Sequence, residues 1–506
     1  KPEQLTRTAV NALNRLLPPK LGNLWGERHW LLELAKSGSR KIGRGPILET
    51  RSDSFDMTKL PALTSWQEDG GPFITQPLVY TEHPETKEHN LGMYRMQIFE
   101  PKQTGMHWQI HKGGGFHHHA AEQLGQNLPV SVFLGGPPAL TLSAIAPLPE
   151  MLPELIFTSF LMGEKLDLVS VDTHPHALIA EAEFAFCGEV LAQVRRPEGP
   201  FGDHYGYYSW VHDFPVFNIK QVFHRKDAIY PATVVGKPRQ EDYFVGEYLQ
   251  RVLQPLFPVV MPGVKDLWTY AETGFHALAG AIVRESYYRE ALAHAFRIMG
   301  EGQLTLTKFL LLSDVPCDLQ DFTRFFENIL ARFNPAQDLW IINDTSMDTL
   351  DYTGRKFNKG SKAIMTGLGK PIRELTREYT SGHVAGIEKI KPYCGGCLLV
   401  SGGNFKDAPG LAEQLVGQEK LQPWQVVIVV DDVEQIFDQT TFLWTVFTRF
   451  DPANDLFAKA EIVRNKIQYQ GPIIIDSRMK PWYPDELLPR EDIVKQVDSR
   501  WTELFK

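Results

Sequence analysis

The chain is poor in cysteine, with only Cys187, Cys317, Cys394 and Cys397 in 506 residues. So few thiols exclude a disulfide scaffold and fit a reducing compartment, so a cytoplasmic location is expected. Positive charge is not in excess: 52 Lys and Arg stand against 61 Asp and Glu, a net charge of -9. Without a basic field to gather phosphates, a nucleic-acid partner is not expected. Long apolar runs are missing too. The longest, LPVSVFLGGPPALTLSAIAPLP from Leu128, is broken by Gly and Pro. It reads as a buried strand and a following turn, not as a transmembrane segment. No strand pattern leads into a dinucleotide fingerprint. No targeting segment is legible; the chain opens on Lys1 rather than Met, and anything upstream of it is not displayed.

What is present is ordinary globular composition, 43% hydrophobic and 22% charged, in a chain long enough for two or three domains. TRTAVNALNRLL near the start reads as an amphipathic helix. The run NLGMYRMQIFEPKQTGMHWQIHKGGG, from Asn90 to Gly115, reads as strand, turn and strand. Pairing of those strands would bring Asn90 and Arg95 to His111, Lys112 and the glycines. Further strand patterns start near 130, 166, 177, 216 and 228, which suggests a barrel or sandwich. Helical patterns follow at 240–255 and about 285–299.

The last 200 or so residues contain a weak repeat: ARFNPAQDLW at 331 matches TRFDPANDLF at 448. Each copy follows an apolar strand (KFLLLSD, VVIVVDD) and a helical stretch, and each precedes a strand and a Lys-Pro pair. Strand, helix, strand at this spacing is an α/β unit, here in two copies.

Three constellations could carry chemistry. Asn90, His111 and Glu198 together form a mixed oxygen-and-imidazole shell suited to Mn²⁺ or Mg²⁺. On spacing alone, a Glu198 that braces a tight turn is the commoner outcome. Arg95 with Asp266 and Glu272 could fork onto a carboxylate and move a proton beside Leu267, Trp268 and Tyr270; an ordinary salt bridge is the commoner alternative. Lys112 with the glycine run could approach a phosphate, and a plain Gly-rich turn is equally compatible. Lys362, after Gly-Ser and before a strand pattern, could also reach a phosphate. Adjacent His117, His118 and His119 cannot all point one way in a strand and read as a polar barrel edge. Cys394-Gly-Gly-Cys397 has no second pair and reads as a free-thiol loop.

In combination these stretches resemble the UbiD family of reversible decarboxylases that use prenylated FMN. The resemblance is carried by NLGMYR at 90, WQIHKGGG at 108, LPVSVFLGGPPA at 128, PEGPFGDHYGYY at 197, FPVFNIKQVFHRKDAIYPATVVGKP at 214 and KDLWTYAE at 265. It covers about residues 60–375, with a second partial match near 426–485. It implies an α/β (α+β) fold with a split β-barrel flavin-binding domain between N-terminal and C-terminal α/β domains. The expected divisions are 1–75, 76–280 for the barrel, 281–300 for a linker helix, and 301–506, partly duplicated and used for oligomer contacts.

The resemblance also implies a site. Asn90, His111 and Glu198 fall at the family's metal positions, for Mn²⁺ or Mg²⁺, with K⁺ as a further candidate ion. Met93, Tyr94, Arg95, His107, Trp108, Gln109, Ile110, Lys112 and Gly113 fall around the flavin, and Lys362 is added as a phosphate-reaching residue. Arg95, Asp266 and Glu272 become the catalytic acid–arginine–acid network. Arg95 would hold the substrate carboxylate, and Asp266 or Glu272 would protonate the carbon after carbon dioxide leaves. Implied partners are an aromatic or α,β-unsaturated carboxylic acid, a flavin prenyltransferase that supplies the cofactor, and further copies of the chain in a homo-oligomer. Two departures stand out: the repeated C-terminal module lengthens the chain, and YAETGFHA replaces a more Pro-rich loop. The alternatives are an FMN-dependent oxidoreductase on the same barrel and a structural subunit of a carboxylase complex.

Overall fold

The computed structural model describes residues 37–109, 112–148 and 152–505, together with 3, 4, 6–8, 10 and 11. Most of the expected N-terminal helix, from residue 12 onward, lies outside the described residues, as do Ile110 and His111. The chain divides into two compact units, residues 1–245 with 484–506, and residues 246–483.

The first unit is built on a nine-stranded sheet. Its main path runs Phe73–Ile74, Met96–Glu100, Gln103–Gly105, His212–His224, Phe184–Glu198, Leu128–Leu134, Leu78–Glu82 and His89–Met93, with Thr50–Ser52 also paired to His212–His224. This curled sheet is the split barrel expected from the sequence. Its pairs are antiparallel, including Ile98 with Thr104 across the short Pro101–Lys102 turn. Why the apolar run at 128 is continuous becomes clear here. Val130, Val132 and Leu134 enter a cluster with Val79, Met96 and Trp108, whereas Phe133 enters a second cluster with Leu78, Leu91 and Leu155. Successive side chains alternate between faces, and both faces are covered, so neither can be polar.

Several local expectations are corrected. The strand expected over MHWQIH ends at Gly105, and Gly113–Gln123 is an α-helix. His117, His118 and His119 therefore lie on a helix, not at a barrel edge. His117 Nδ1 meets Thr81 Oγ1 at 2.9 Å and His118 Nε2 meets the Leu191 carbonyl at 3.4 Å, which docks that helix on the sheet. The run after Leu128 continues into a helix, Pro138–Ile145, rather than only a turn. AIYPATVV forms no strand. The helix expected from about 285 begins at Glu290. Before it, the Glu285 carboxylate takes the Arg289 and Ala291 N–H groups at 2.6 and 2.7 Å, and Arg289 sits at φ 65°.

A small sheet pairs Ser39–Ile42 with Leu166–Val169 and Leu178–Ile179, so strands from far along the chain complete the N-terminal region. In the second unit, Val264–Thr269 and Leu278–Val283, inside the 76–280 division, pair with Phe309–Ser313, Lys359–Gly367 and Leu339–Ser346 in a five-stranded sheet. A second five-stranded sheet follows with the same order and strand directions: Lys389–Cys394, Cys397–Ser401, Val426–Val429, Lys466–Asp476 and Leu456–Val463. The repeat is thus structural. In one copy the Asn334 N–H donates to Asp338 Oδ2 at 2.8 Å; in the other the Asp451 N–H donates to Asp455 Oδ2 at 2.8 Å. Cys394 and Cys397 are free thiols facing each other across a Gly-Gly hairpin turn.

Candidate active site

The strand His89–Met93 delivers Asn90, and the break between it and Met96–Glu100 delivers Tyr94 and Arg95. Asn90 Nδ2 donates to the Tyr94 hydroxyl at 3.2 Å. A Cβ on Gly113 would overlap Asn90 Oδ1, so only glycine lets the helix start abut that amide. The first and second halves of the expected hairpin thus do meet, although the second half is a helix N-terminus. Burial raises the Tyr94 phenol to about 12, against the opposing Asn90 hydrogen bond.

Arg95 is 8% exposed and is engaged at each nitrogen. Nε donates to Glu198 Oε1 at 3.1 Å, Nη1 to Asp203 Oδ2, and Nη2 to Ser209 Oγ at 3.0 Å. The Phe201 ring lies 4.7 Å below Cζ. One Gly- and Pro-punctuated stretch, Glu198 to Ser209, therefore wraps the guanidinium. Glu198 is fully buried, and His107 Nδ1 meets the same Oε1 at 2.8 Å. Burial pushes Glu198 up, but His107 and Arg95 outweigh it and hold the carboxyl below its ordinary value. Burial first, then Arg95, lowers His107, which is neutral here. A carboxylate only accepts, so His107 carries its proton on Nδ1. Asp203 is also held well below the usual carboxylate range: burial raises it, and Arg95 and His204 overcome that rise.

Among the described residues no three His, Cys, Asp or Glu side chains form a metal set. The expected set uses Asn90, and His111 lies outside the described residues. One observation fits a divalent ion. Glu198 Oε2 is buried and has no hydrogen-bond partner. A Cβ on Gly105 would lie 2.8 Å from it. A buried carboxylate oxygen left bare costs free energy unless something positive meets it.

The other expected residues are placed as follows. Trp108 is buried, and its Nε1 has no partner. Gln109 Nε2 lies 3.5 Å from His107 Nε2. Lys112 is the N-cap residue of the Gly113–Gln123 helix. Met93 is partly buried against the Leu91 and Phe133 cluster.

Asp266, Glu272 and Lys362 belong to the second unit. Asp266 Oδ1 accepts from Gln254 Nε2 at 2.7 Å and from the Leu267 N–H at 2.8 Å. Burial raises its carboxyl, with those bonds opposing. Glu272 is 4% exposed in the turn Ala271–Thr273, beside buried Trp268 and Tyr270 in sequence. Lys362 Nζ donates to the Thr305 and Thr307 carbonyls at 2.5 and 3.1 Å, and burial lowers it to about 8. The acids that touch Arg95 are Glu198 and Asp203. Sequence reasoning took Glu198 for the ion alone and missed Asp203, Ser209 and Phe201 in the same PEGPFGDHYGYYS stretch.

Comparison with known proteins follows this geometry. A family model described as the 3-octaprenyl-4-hydroxybenzoate carboxy-lyase Rift-related domain matches residues 40–238. A second, for the 3-octaprenyl-4-hydroxybenzoate carboxy-lyase C-terminal domain, matches residues 243–367 and 381–472. A Chlamydia pneumoniae protein named as a 4-hydroxybenzoate decarboxylase subunit is 50% identical over 491 residues, 96% of this chain and 83% of that protein. An uncharacterized Chlamydia muridarum protein is 50% identical over 492 residues, covering 96% of this chain and 84% of its own length. Among solved structures, the closed form of Sedimentibacter hydroxybenzoicus vanillic acid decarboxylase matches with TM-score 0.62 and 23% identity, over 69% of this chain and 77% of that one. A UbiD-class enzyme from Pelotomaculum thermopropionicum in complex with FMN matches with TM-score 0.58 and 24% identity, over 71% and 82%. At such identities the structural likeness is one of fold.

Proposed function

Because the chain belongs to the UbiD family of carboxy-lyases, we propose that it is a reversible, non-oxidative decarboxylase of an aromatic or α,β-unsaturated carboxylic acid. The observation that carries this reading is the buried guanidinium of Arg95, clasped by Glu198 and Asp203 beside a carboxylate oxygen with no partner.

The cofactor in this reading is prenylated FMN, which when bound supplies an electron sink for the pair left on carbon as carbon dioxide departs. Met93, Tyr94, Trp108, Gln109 and Gly113 would hold it, and Asn90, His111 and Glu198 would hold Mn²⁺ or Mg²⁺ at its phosphate. Lys112 and Lys362 would add charge to that phosphate, and K⁺ would be a further ion. Arg95 orients the substrate carboxylate by charge-assisted hydrogen bonds. His107 fixes Glu198 through Oε1 and leaves Oε2 for the ion. Phe201 and Phe214 exclude water from this pocket of charge: the first lies on Arg95 and the second has its ring 4.3 Å from His107. Proton delivery is assigned to Asp266 or Glu272. Burial favours the neutral acid at Asp266, as a proton donor requires.

The Chlamydia pneumoniae relative is named as one subunit among others, which supports a companion reading in which this chain is the catalytic member of a multi-chain carboxy-lyase. A prenyltransferase supplier, a homo-oligomeric arrangement and a cytoplasmic location complete the proposal. Among the described residues no helix is long and apolar enough to cross a membrane.

The test is co-expression with a flavin prenyltransferase, followed by a screen of aromatic acids that includes 4-hydroxybenzoate. Carbon dioxide release, or exchange of labelled bicarbonate into the acid, is expected for at least one compound. Turnover of NADH with unmodified FMN, and no exchange with any acid, would refute the reading.

A further inference from the structure

The clasp around Arg95 has a charge imbalance. One guanidinium faces two carboxylates, Glu198 and Asp203, both fully or largely buried. A substrate carboxylate added to this set would be a third anion on one cation. In a poorly solvated site that repulsion is large, so one anion must give way. The donors decide which. Nε has a single hydrogen, and Glu198 holds it. A forked contact therefore needs the edge formed by Nη1 and Nη2, where Asp203 Oδ2 and Ser209 Oγ now sit. Glu198 is anchored a second time by His107 on the oxygen that Arg95 uses. Asp203 is anchored elsewhere: its Oδ1 meets His204 Nδ1 and the His204 N–H, both at 2.7 Å. Its Oδ2 can leave Arg95 without unmaking either bond.

We propose that Asp203 is an internal stand-in for the substrate carboxylate: it occupies Nη1 of Arg95 when the site is empty and is displaced, while still tethered to His204, when a carboxylate ligand binds. The inference rests on the carboxylate-binding role proposed for Arg95. It makes Asp203 a positioning residue whose presence weakens ground-state binding. In return, Arg95 stays paired and in place between turnovers. It also accounts for the Gly-rich character of the stretch from Gly199 to Gly206, in which Gly199 and Gly206 adopt φ of 102° and 87° and allow the backbone to carry Asp203 on a tight turn.

The experiment is a calorimetric titration of benzoate into the full chain and into three variants, Asp203→Asn, Asp203→Ser and Arg95→Lys. Removing the competitor's charge should tighten benzoate binding about tenfold in both Asp203 variants, the scale of one charge-assisted hydrogen bond. Mere damage to the site does not raise affinity, so a gain separates displacement from a structural role. Equal or weaker benzoate binding in both Asp203 variants, with Arg95→Lys weakened, would overturn the stand-in and leave the Arg95 reading intact. Benzoate bound alike by Arg95→Lys and the parent chain would instead overturn the Arg95 reading, and the stand-in with it.

Discussion

His107 donates from Nδ1 to Oε1 of Glu198 at 2.8 Å, and this contact leaves Oε2 as the bare oxygen of a fully buried carboxylate. An imidazole that holds one oxygen and presents the other is the usual arrangement behind a metal-binding carboxylate. His107→Ala is therefore expected to weaken Mn²⁺ binding by about 10–100-fold. Manganese EPR on the purified variant reads this directly. Unchanged affinity would mean that Glu198 does not depend on His107 for its orientation.

Gly113→Ala tests the contact at the helix start. In the middle of a helix, alanine in place of glycine gains roughly 0.5–1 kcal/mol. Here the new methyl would overlap Asn90 Oδ1, and the amide must move. The expected result is a folded chain with much less bound flavin, measured by absorbance after unfolding. A variant with full flavin content would show that Asn90 can shift at no cost.

Glu154 gives a prediction with a definite pH sign. Burial raises its carboxyl to about 7. In the unfolded chain a glutamate releases its proton near pH 4.3 or so. The raised folded value contributes stability that is fully present below the unfolded value and is lost as pH rises toward about 7. Stability from this group should fall across that window and level off above it. Glu154→Gln should remove that slope, measured by urea unfolding at pH 4.5, 6 and 8. A variant whose pH profile matches the parent would contradict the assignment.

The duplicated turn supplies a stability test in the second unit. Asp455 Oδ2 accepts the Asp451 N–H at 2.8 Å and lies 3.3 Å from Lys480 Nζ, which is 2% exposed. Removing the acid leaves a buried cation without its counter-charge. Asp455→Ala should cost about 3–5 kcal/mol, whereas Asp455→Asn with Lys480→Met should recover much of that. Denaturant midpoints compare the two. A double variant no better than the single would mean that Lys480 is held by the Arg449 and Asp476 carbonyls alone.

Much of the fold was legible because the local signals agree with the global arrangement. LPVSVFL reads as a strand covered on both faces, and it is one. The two copies of RF(N/D)PA(Q/N)D carry the turn that repeats between the C-terminal sheets. The misreadings have local causes. WQIHKGGGFHHH has strand-like residues before three glycines, and helix propensity there is low, so nothing in the sequence announces the Gly113–Gln123 helix. Tertiary contacts from His117 and His118 supply what propensity does not. The site was legible at Arg95, Glu198 and Asn90 because those residue types are rare choices for a core. Asp203 and Ser209 were missed because an Asp and a Ser in a Gly-rich turn usually cap that turn. Only folding brings them onto a guanidinium more than a hundred residues away in sequence.

The most direct test of the central claim compares the parent chain with Arg95→Lys, both loaded with prenylated FMN, for release of carbon dioxide from whichever acid the screen identifies. Lysine keeps the positive charge between Glu198 and Asp203 but loses the fork that holds a carboxylate. The account predicts a chain that folds, keeps its flavin and has lost nearly all turnover. Parent-level carbon dioxide release from Arg95→Lys would contradict it.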